Sequence, residues 1–169
     1  MATTCKLIGK AEAGSGGAAT FTFNSIPATY TDLWLLISSR SEGSAAQIQM
    51  KLNNITSGYS YRSIFGDGST AASYSGSGDS YFRLQYSTGT NQTANTFSSI
   101  EVYIPNYAGS TAKSVSITAT MENNATSSNL VPMAGLQSST AAITDITLTQ
   151  DGADFAQYST AYLYGITKA

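Results

Sequence analysis

Apolar and polar residues alternate along most of the chain with a period of two. Ile48, Met50 and Leu52 alternate with Gln47, Gln49 and Lys51, and Ile100, Val102 and Ile104 alternate with Glu101 and Tyr103. Val115, Ile117, Ala119 and Met121 alternate with Ser114, Ser116, Thr118 and Thr120, and Tyr162, Tyr164 and Ile166 with Ala161, Leu163 and Gly165. Successive side chains of an extended chain point to opposite faces, so this pattern marks strands with one buried and one wetter face. A helix needs repeats of three and four, and no long window offers them. Strands are predicted at 4–11, 18–24, 31–39, 45–53, 58–65, 80–88, 96–104, 112–122, 129–137, 142–150 and 158–167. β-branched and aromatic residues, which suit a pleated surface, are abundant in them. Turn signals separate them at Gly14 to Gly17, Glu42-Gly43, Asp67-Gly68, Asn106 to Gly109, Asn123-Asn124 and Asp151-Gly152. Many short strands at this spacing predict an all-β chain, a single antiparallel β-sandwich domain over 1–169, jelly-roll-like rather than a closed barrel.

Two segments break the alternation. Leu33, Trp34, Leu35, Leu36 and Ile37 are all apolar, so this strand is expected in the interior or, on one face, against a neighbouring subunit. These five residues are the candidates for subunit packing. Gly66 to Ser80 reads GDGSTAASYSGSGDS, low in complexity and rich in Gly and Ser. It is expected to be a surface loop, either mobile or ordered against a partner. Asp67, Tyr74, Asp79 and the adjoining Tyr81 are its candidates for outward contact. A loop of this kind packs little, so replacing it with a short Gly-Ser turn is expected to leave folding intact.

Composition narrows the partners. Charged residues make up 11% of the chain, less than half the usual share of about 25%, and Ser, Thr, Asn, Gln and Gly take their place. Contacts of such a surface rest on hydrogen bonds and aromatic area more than on ion pairs. The net charge is -2, and the eight cations from Lys6 to Lys168 are scattered singly. Nucleic-acid affinity comes mostly from neutralising phosphates, so no nucleic-acid partner is expected. No segment reaches the roughly 18 apolar residues of a membrane helix, and no export signal is evident, so no membrane partner is expected either.

Catalytic chemistry is hard to build from these residues. The chain has no histidine, which removes the usual activation of Ser or Cys nucleophiles and most zinc sites. The single Cys5 cannot form a disulfide within the chain and reads as a small apolar residue of the first strand. Ten carboxylates leave a glycosidase pair conceivable, but several stand in turn contexts where Asp and Glu cap or face solvent. Asp151 and Asp154 could help to hold calcium, yet their spacing does not match an EF-hand and fits a plain Asp-Gly turn. Neither an enzymatic activity nor a cofactor is expected. Sequons at Asn54, Asn91 and Asn124 read as chance in a Ser/Thr-rich chain. Eleven tyrosines are more suggestive, because tyrosine joins a rigid apolar face to a polar tip. Tyr59, Tyr61, Tyr74, Tyr81 and Tyr86 crowd the middle of the chain, with Tyr59 and Tyr61 on one strand face.

Three stretches carry a resemblance: FTFNSIPATYTDLWLLISSRS from Phe21, EVYIPNYAGSTAKSVS from Glu101, and MENNAT from Met121 continuing through MAGLQSST from Met133 to Ile166. Together they resemble small β-rich virion proteins of tailed phages, which are capsid decoration (cement) proteins or terminal domains of tail fibres. The resemblance spans most of the chain outside the segment from Gly66 to Asn95. It implies a β-sandwich assembled as a homotrimer, made in the bacterial cytoplasm and carried on the virion. The expected role is decoration of the outer head surface, binding the major capsid protein through many repeated weak contacts. The first strand begins within a few residues of Met1, with no upstream shaft segment, which favours the head over a fibre. The alternative is a receptor-binding tip that reads a host surface glycan with its tyrosines.

Overall fold

The computed structural model describes residues 4–124 and 128–167. Ala125 and Thr126, which belong to the third sequon and the third resembling stretch, lie outside the described residues, as does Lys168. The described chain is all-β: β1 (Cys5–Glu12), β2 (Thr20–Phe23), β3 (Asp32–Ser39), β4 (Ala46–Leu52), β5 (Tyr59–Gly66), β6 (Ala71–Asp79), β7 (Phe82–Ser87), β8 (Ser98–Pro105), β9 (Lys113–Met121), β10 (Asn129–Gln137), β11 (Ile146–Gln150) and β12 (Thr160–Ile166). The strands pair antiparallel in two sheets, of order β1-β12-β3-β8-β9-β10-β5-β6 and β2-β11-β4-β7, giving a β-sandwich. Only the connections β5–β6, β8–β9 and β9–β10 stay within one sheet; every other connection crosses between the two.

The period of two decides what faces inward. In β9 Val115, Ile117, Ala119 and Met121 are buried while Ser114, Ser116 and Thr118 are exposed, and β4 buries Ala46, Ile48, Met50 and Leu52. In β12 the smaller set, Ala161, Leu163 and Gly165, points inward and the tyrosines point out. Aromatic pairs fill the layer between the sheets: Phe21 stacks on Phe155 at 4.2 Å, and Tyr59 meets Phe82 edge-on at 4.8 Å. Phe82 fits because Gly135 lies beneath it; a Cβ there would come within 2.7 Å of the ring.

One end of the sandwich is closed by polar groups instead. Ser39 Oγ and Ser87 Oγ lie 2.8 Å apart, and Gln150 Nε2 donates to Ser87 Oγ at 2.8 Å. Beside them the Arg40 guanidinium donates to the carbonyls of Gly89 (2.7 Å), Thr93 (3.0 Å) and Thr96 (2.9 Å). This cation is satisfied by carbonyl oxygens, and it holds the β7–β8 connection against the body of the fold.

The segment expected to be a loop is mostly a strand. Gly66 closes β5, residues 67–70 make a tight turn, and β6 returns along β5 with Tyr74 opposite Ser63 and Gly76 opposite Tyr61. Asp67 forms the turn: its Oδ1 accepts from the backbone N–H of Ser69 (2.9 Å) and Thr70 (2.6 Å), and Gly68 takes φ +87°. Cross-strand pairing overrides the weak strand preference of Gly and Ser, because such preference depends on the neighbours a strand finds. The small sheet ends at β7, which packs mainly against β9, β8 and β5 of the large sheet. The β5–β6 hairpin therefore overhangs, and β6 stays largely exposed along its length.

Candidate functional site

The overhang makes a cleft. Tyr61, Phe65 and Tyr74 stand on the inner face of the hairpin, with the Phe65 and Tyr74 rings edge to face at 6.1 Å. Across from them the β7 edge presents Arg83, Gln85 and Tyr86, with Gln47 of β4 at the rim. Leu84, Val131 and Met133 form an apolar floor, and the enclosed space is about 420 Å³. That volume lies in the ordinary range of ligand sites, about 300–1,000 Å³. A larger depression of about 590 Å³ on the outer side of β5, β6, β9 and β10 has strands of one sheet only as its wall.

The polar groups of the cleft are held in place. Arg83 donates to Gln47 Oε1 at 3.1 Å, lies 3.7 Å from an Asp79 carboxylate oxygen, and sits 5.2 Å over the Tyr81 ring. Gln85 donates to Asn129 Oδ1 at 2.9 Å and accepts from the Tyr86 N–H at 2.9 Å. Tyr74 is 55% and Tyr86 43% exposed, so both rings present faces to solvent.

A second feature lies on the outer face of the large sheet. Leu7, Tyr164, Trp34 and Tyr103 are successive partners across β1, β12, β3 and β8. Trp34 Nε1 donates to Glu101 Oε1 at 2.8 Å, and its ring lies 6.1 Å from that of Tyr164. Tyr103 Oη donates to Asp32 Oδ2 at 2.7 Å; that hydrogen bond, before burial, pushes the phenol above its ordinary range. In the next row Lys10 lies 5.6 Å over the Tyr162 ring and pairs with Glu12 at 2.5 Å.

The candidates for subunit packing divide by face. Leu33, Leu35 and Ile37 are at most 3% exposed and belong to the core, so they have no surface to offer a neighbour. Only Trp34 and Leu36 look outward, half-buried among the outer-face tyrosines. The outward-contact candidates also divide. Asp67 is committed to its turn, and the backbone N–H groups of Thr70 and Ser69 hold its carboxyl below the usual range. Tyr74, Asp79 and Tyr81 gather around the cleft with Arg83. Tyr59 is a core residue, whereas Tyr61, Tyr74 and Tyr86 meet in the cleft. Phe65, Arg83 and Gln47 escaped the sequence reading, although Phe65 lies two and four residues from Ser63 and Tyr61 on the same strand face.

The described residues hold no group of three or more His, Cys, Asp or Glu side chains placed to bind a metal. Asp151 and Asp154 flank a turn in which Gly152 takes φ +73°, and Cys5 is half-buried with a free thiol. Among the described residues no helix is long and apolar enough to cross a membrane. In comparisons with known proteins, no protein-family model matches the chain and no curated protein matches it.

Proposed function

We propose that this chain is a structural protein of a tailed-phage particle, a capsid decoration protein that acts as a homotrimer on the outer head surface and staples neighbouring major capsid subunits. The outer-face row of Leu7, Tyr164, Trp34 and Tyr103 carries the reading. Sheet faces that meet water are ordinarily polar, and contiguous aromatic surface is enriched at protein interfaces; here the Glu101 and Asp32 carboxylates beside the row are engaged by Trp34 and Tyr103. The strand order supports the jelly-roll expectation. β1, β12, β3 and β8 oppose β2, β11, β4 and β7, and the β5–β6 and β9–β10 pairs extend the first of these sheets. The test is association of purified protein with expanded capsids that lack it. Binding is expected, with loss of binding in a folded Trp34→Ala, Tyr164→Ala double variant; no association of the unaltered protein sinks the reading.

The second reading, a receptor-binding module of a fibre or spike tip, is favoured by the cleft between the β5–β6 hairpin and β7. Its test is binding of the assembled protein to host cells, and absence of binding counts against it.

A further inference from the structure

We infer that the cleft between the β5–β6 hairpin and the β7 edge is a saccharide site that takes an uncharged, pyranose-containing glycan. The inference rests on the recognition reading, not on where the protein sits on a particle.

The chemistry of the walls leads there. Pyranose rings are amphiphilic, with C–H faces that lie against aromatic rings and a rim of hydroxyls that need hydrogen bonds. The cleft repeats that division. Tyr61, Phe65, Tyr74 and Tyr86 supply flat apolar faces, and three of these four end in a phenol. None of those three hydroxyls makes a hydrogen bond within the described chain, whereas the buried Tyr59 and Tyr107 both do. The unpaired phenols therefore face solvent, and a ligand hydroxyl can take the place of water.

Charge selects among ligands. Among the described residues Arg83 is the one cation lining the cleft, and Asp79 stands 3.7 Å from it. Its positive charge is opposed, so a phosphate or a sugar acid gains little there. Its remaining N–H groups, fixed by the Gln47 bond at 3.1 Å and the Tyr81 ring beneath, can still donate to neutral oxygens. Holding the guanidinium in advance limits the ordering cost of binding. Leu84, Val131 and Met133 make the floor largely apolar, which suits a C–H face, and the Ser63 hydroxyl beside them offers one further hydrogen-bonding group.

Two of the cleft tyrosines lie outside the core. Tyr74 lies on an edge strand and Tyr86 near the end of one, both exposed, so changing either alters ligand preference without disturbing the core.

The experiment uses the full chain on an array of neutral hexose, deoxyhexose and N-acetylhexosamine oligosaccharides, with sialylated and sulfated glycans alongside. Labelled protein is applied in parallel to host cells. Retention on one or more neutral glycans is expected. Tyr74→Ala and Tyr86→Ala are expected to weaken it about ten-fold or more with unchanged melting temperature, while Ile64→Ala, exposed on the other face of β5, leaves it unchanged. Binding confined to the anionic glycans overturns the inference, and so does neutral-glycan binding that survives both tyrosine variants. If the protein binds host cells but no array glycan, and the tyrosine variants bind cells equally well, the saccharide site fails while the recognition reading stands. If it binds neither, both fail.

Discussion

Asn53 shows how much a single polar residue holds together here. It takes φ +51°, a left-handed conformation that Asn tolerates better than most residues. Its Oδ1 accepts from the N–H groups of Thr144 (2.8 Å) and Asp145 (3.1 Å), and its Nδ2 donates to Ala142 O at 2.7 Å. The β10–β11 connection is thereby tied to the end of β4. Asn53→Ala adds backbone strain and removes these bonds, so a loss of about 2–4 kcal/mol in chemical denaturation is expected. Tyr59 acts through its ionisation. Burial pushes its phenol up, against the weaker opposing effect of the Leu52 backbone bond. The folded state thus keeps a proton that the unfolded chain releases near pH 10, about the ordinary tyrosine value. The resulting stability is fully present below that value and is lost as pH rises toward the folded pKa. Tyr103 and Tyr107 shift the same way. Lys113, lowered by desolvation, has the opposite sign and adds stability as pH climbs toward its ordinary range. Denaturation midpoints measured from neutral pH to above about pH 10 are therefore expected to fall more gently for Tyr59→Phe than for the unaltered chain.

At the scale of elements, Arg40 and β6 carry the expectations. Arg40 spans three carbonyls of the 89–96 segment through a planar fork. A lysine carries all its donors on one atom and lacks the two-nitrogen fork by which Arg40 reaches Gly89 through one nitrogen and Thr93 and Thr96 through the other. Arg40→Lys is expected to cost about 1.5–3 kcal/mol and to speed amide exchange in residues 89–97 before the rest of the fold. Unchanged exchange there removes the pinning role. Replacing Gly66 to Ser80 with a short turn now has a different expected outcome from that of removing a loop. It strips β6 from β5, exposes the β5 edge and takes away one wall of the cleft. A measurable drop in melting temperature with the fold retained is expected, because β6 buries little; an unchanged melting temperature speaks for a dispensable hairpin. The strands legible in the sequence are those with an unbroken apolar buried face, such as Val115 to Met121 and Ile48 to Leu52. β6 was illegible because Ser and Gly give no face to read, although Asp67-Gly68 between Phe65 and Tyr74 was a hairpin signal. The strand expected at 142–150 starts at Ile146, since Ala142 to Asp145 are drawn to Asn53 and the Ile143 N–H to Tyr107 O at 3.0 Å.

For the whole molecule, the decisive feature is that one sheet has eight strands and the other four. Equal sheets would bury the inner faces of β5 and β6, and Tyr61, Phe65 and Tyr74 would be core. The mismatch opens the cleft, and no local pattern announces it because it depends on where strands distant in sequence finish. The middle-chain tyrosines gave half of the site, and Arg83, Gln47 and the floor residues come from tertiary placement alone. The outer-face row was similarly half legible: the run Leu33 to Ile37 pointed to two occupied faces, but Tyr103 and Tyr164 join Trp34 only through sheet order. The most direct test of the proposed capsid role is cryo-electron microscopy of tailed-phage particles assembled with this chain present. A decoration protein gives density for this sandwich in many symmetry-related copies on the head, with the Trp34 face against a neighbouring subunit. Density confined to the tail, or none on the particle, contradicts the capsid role.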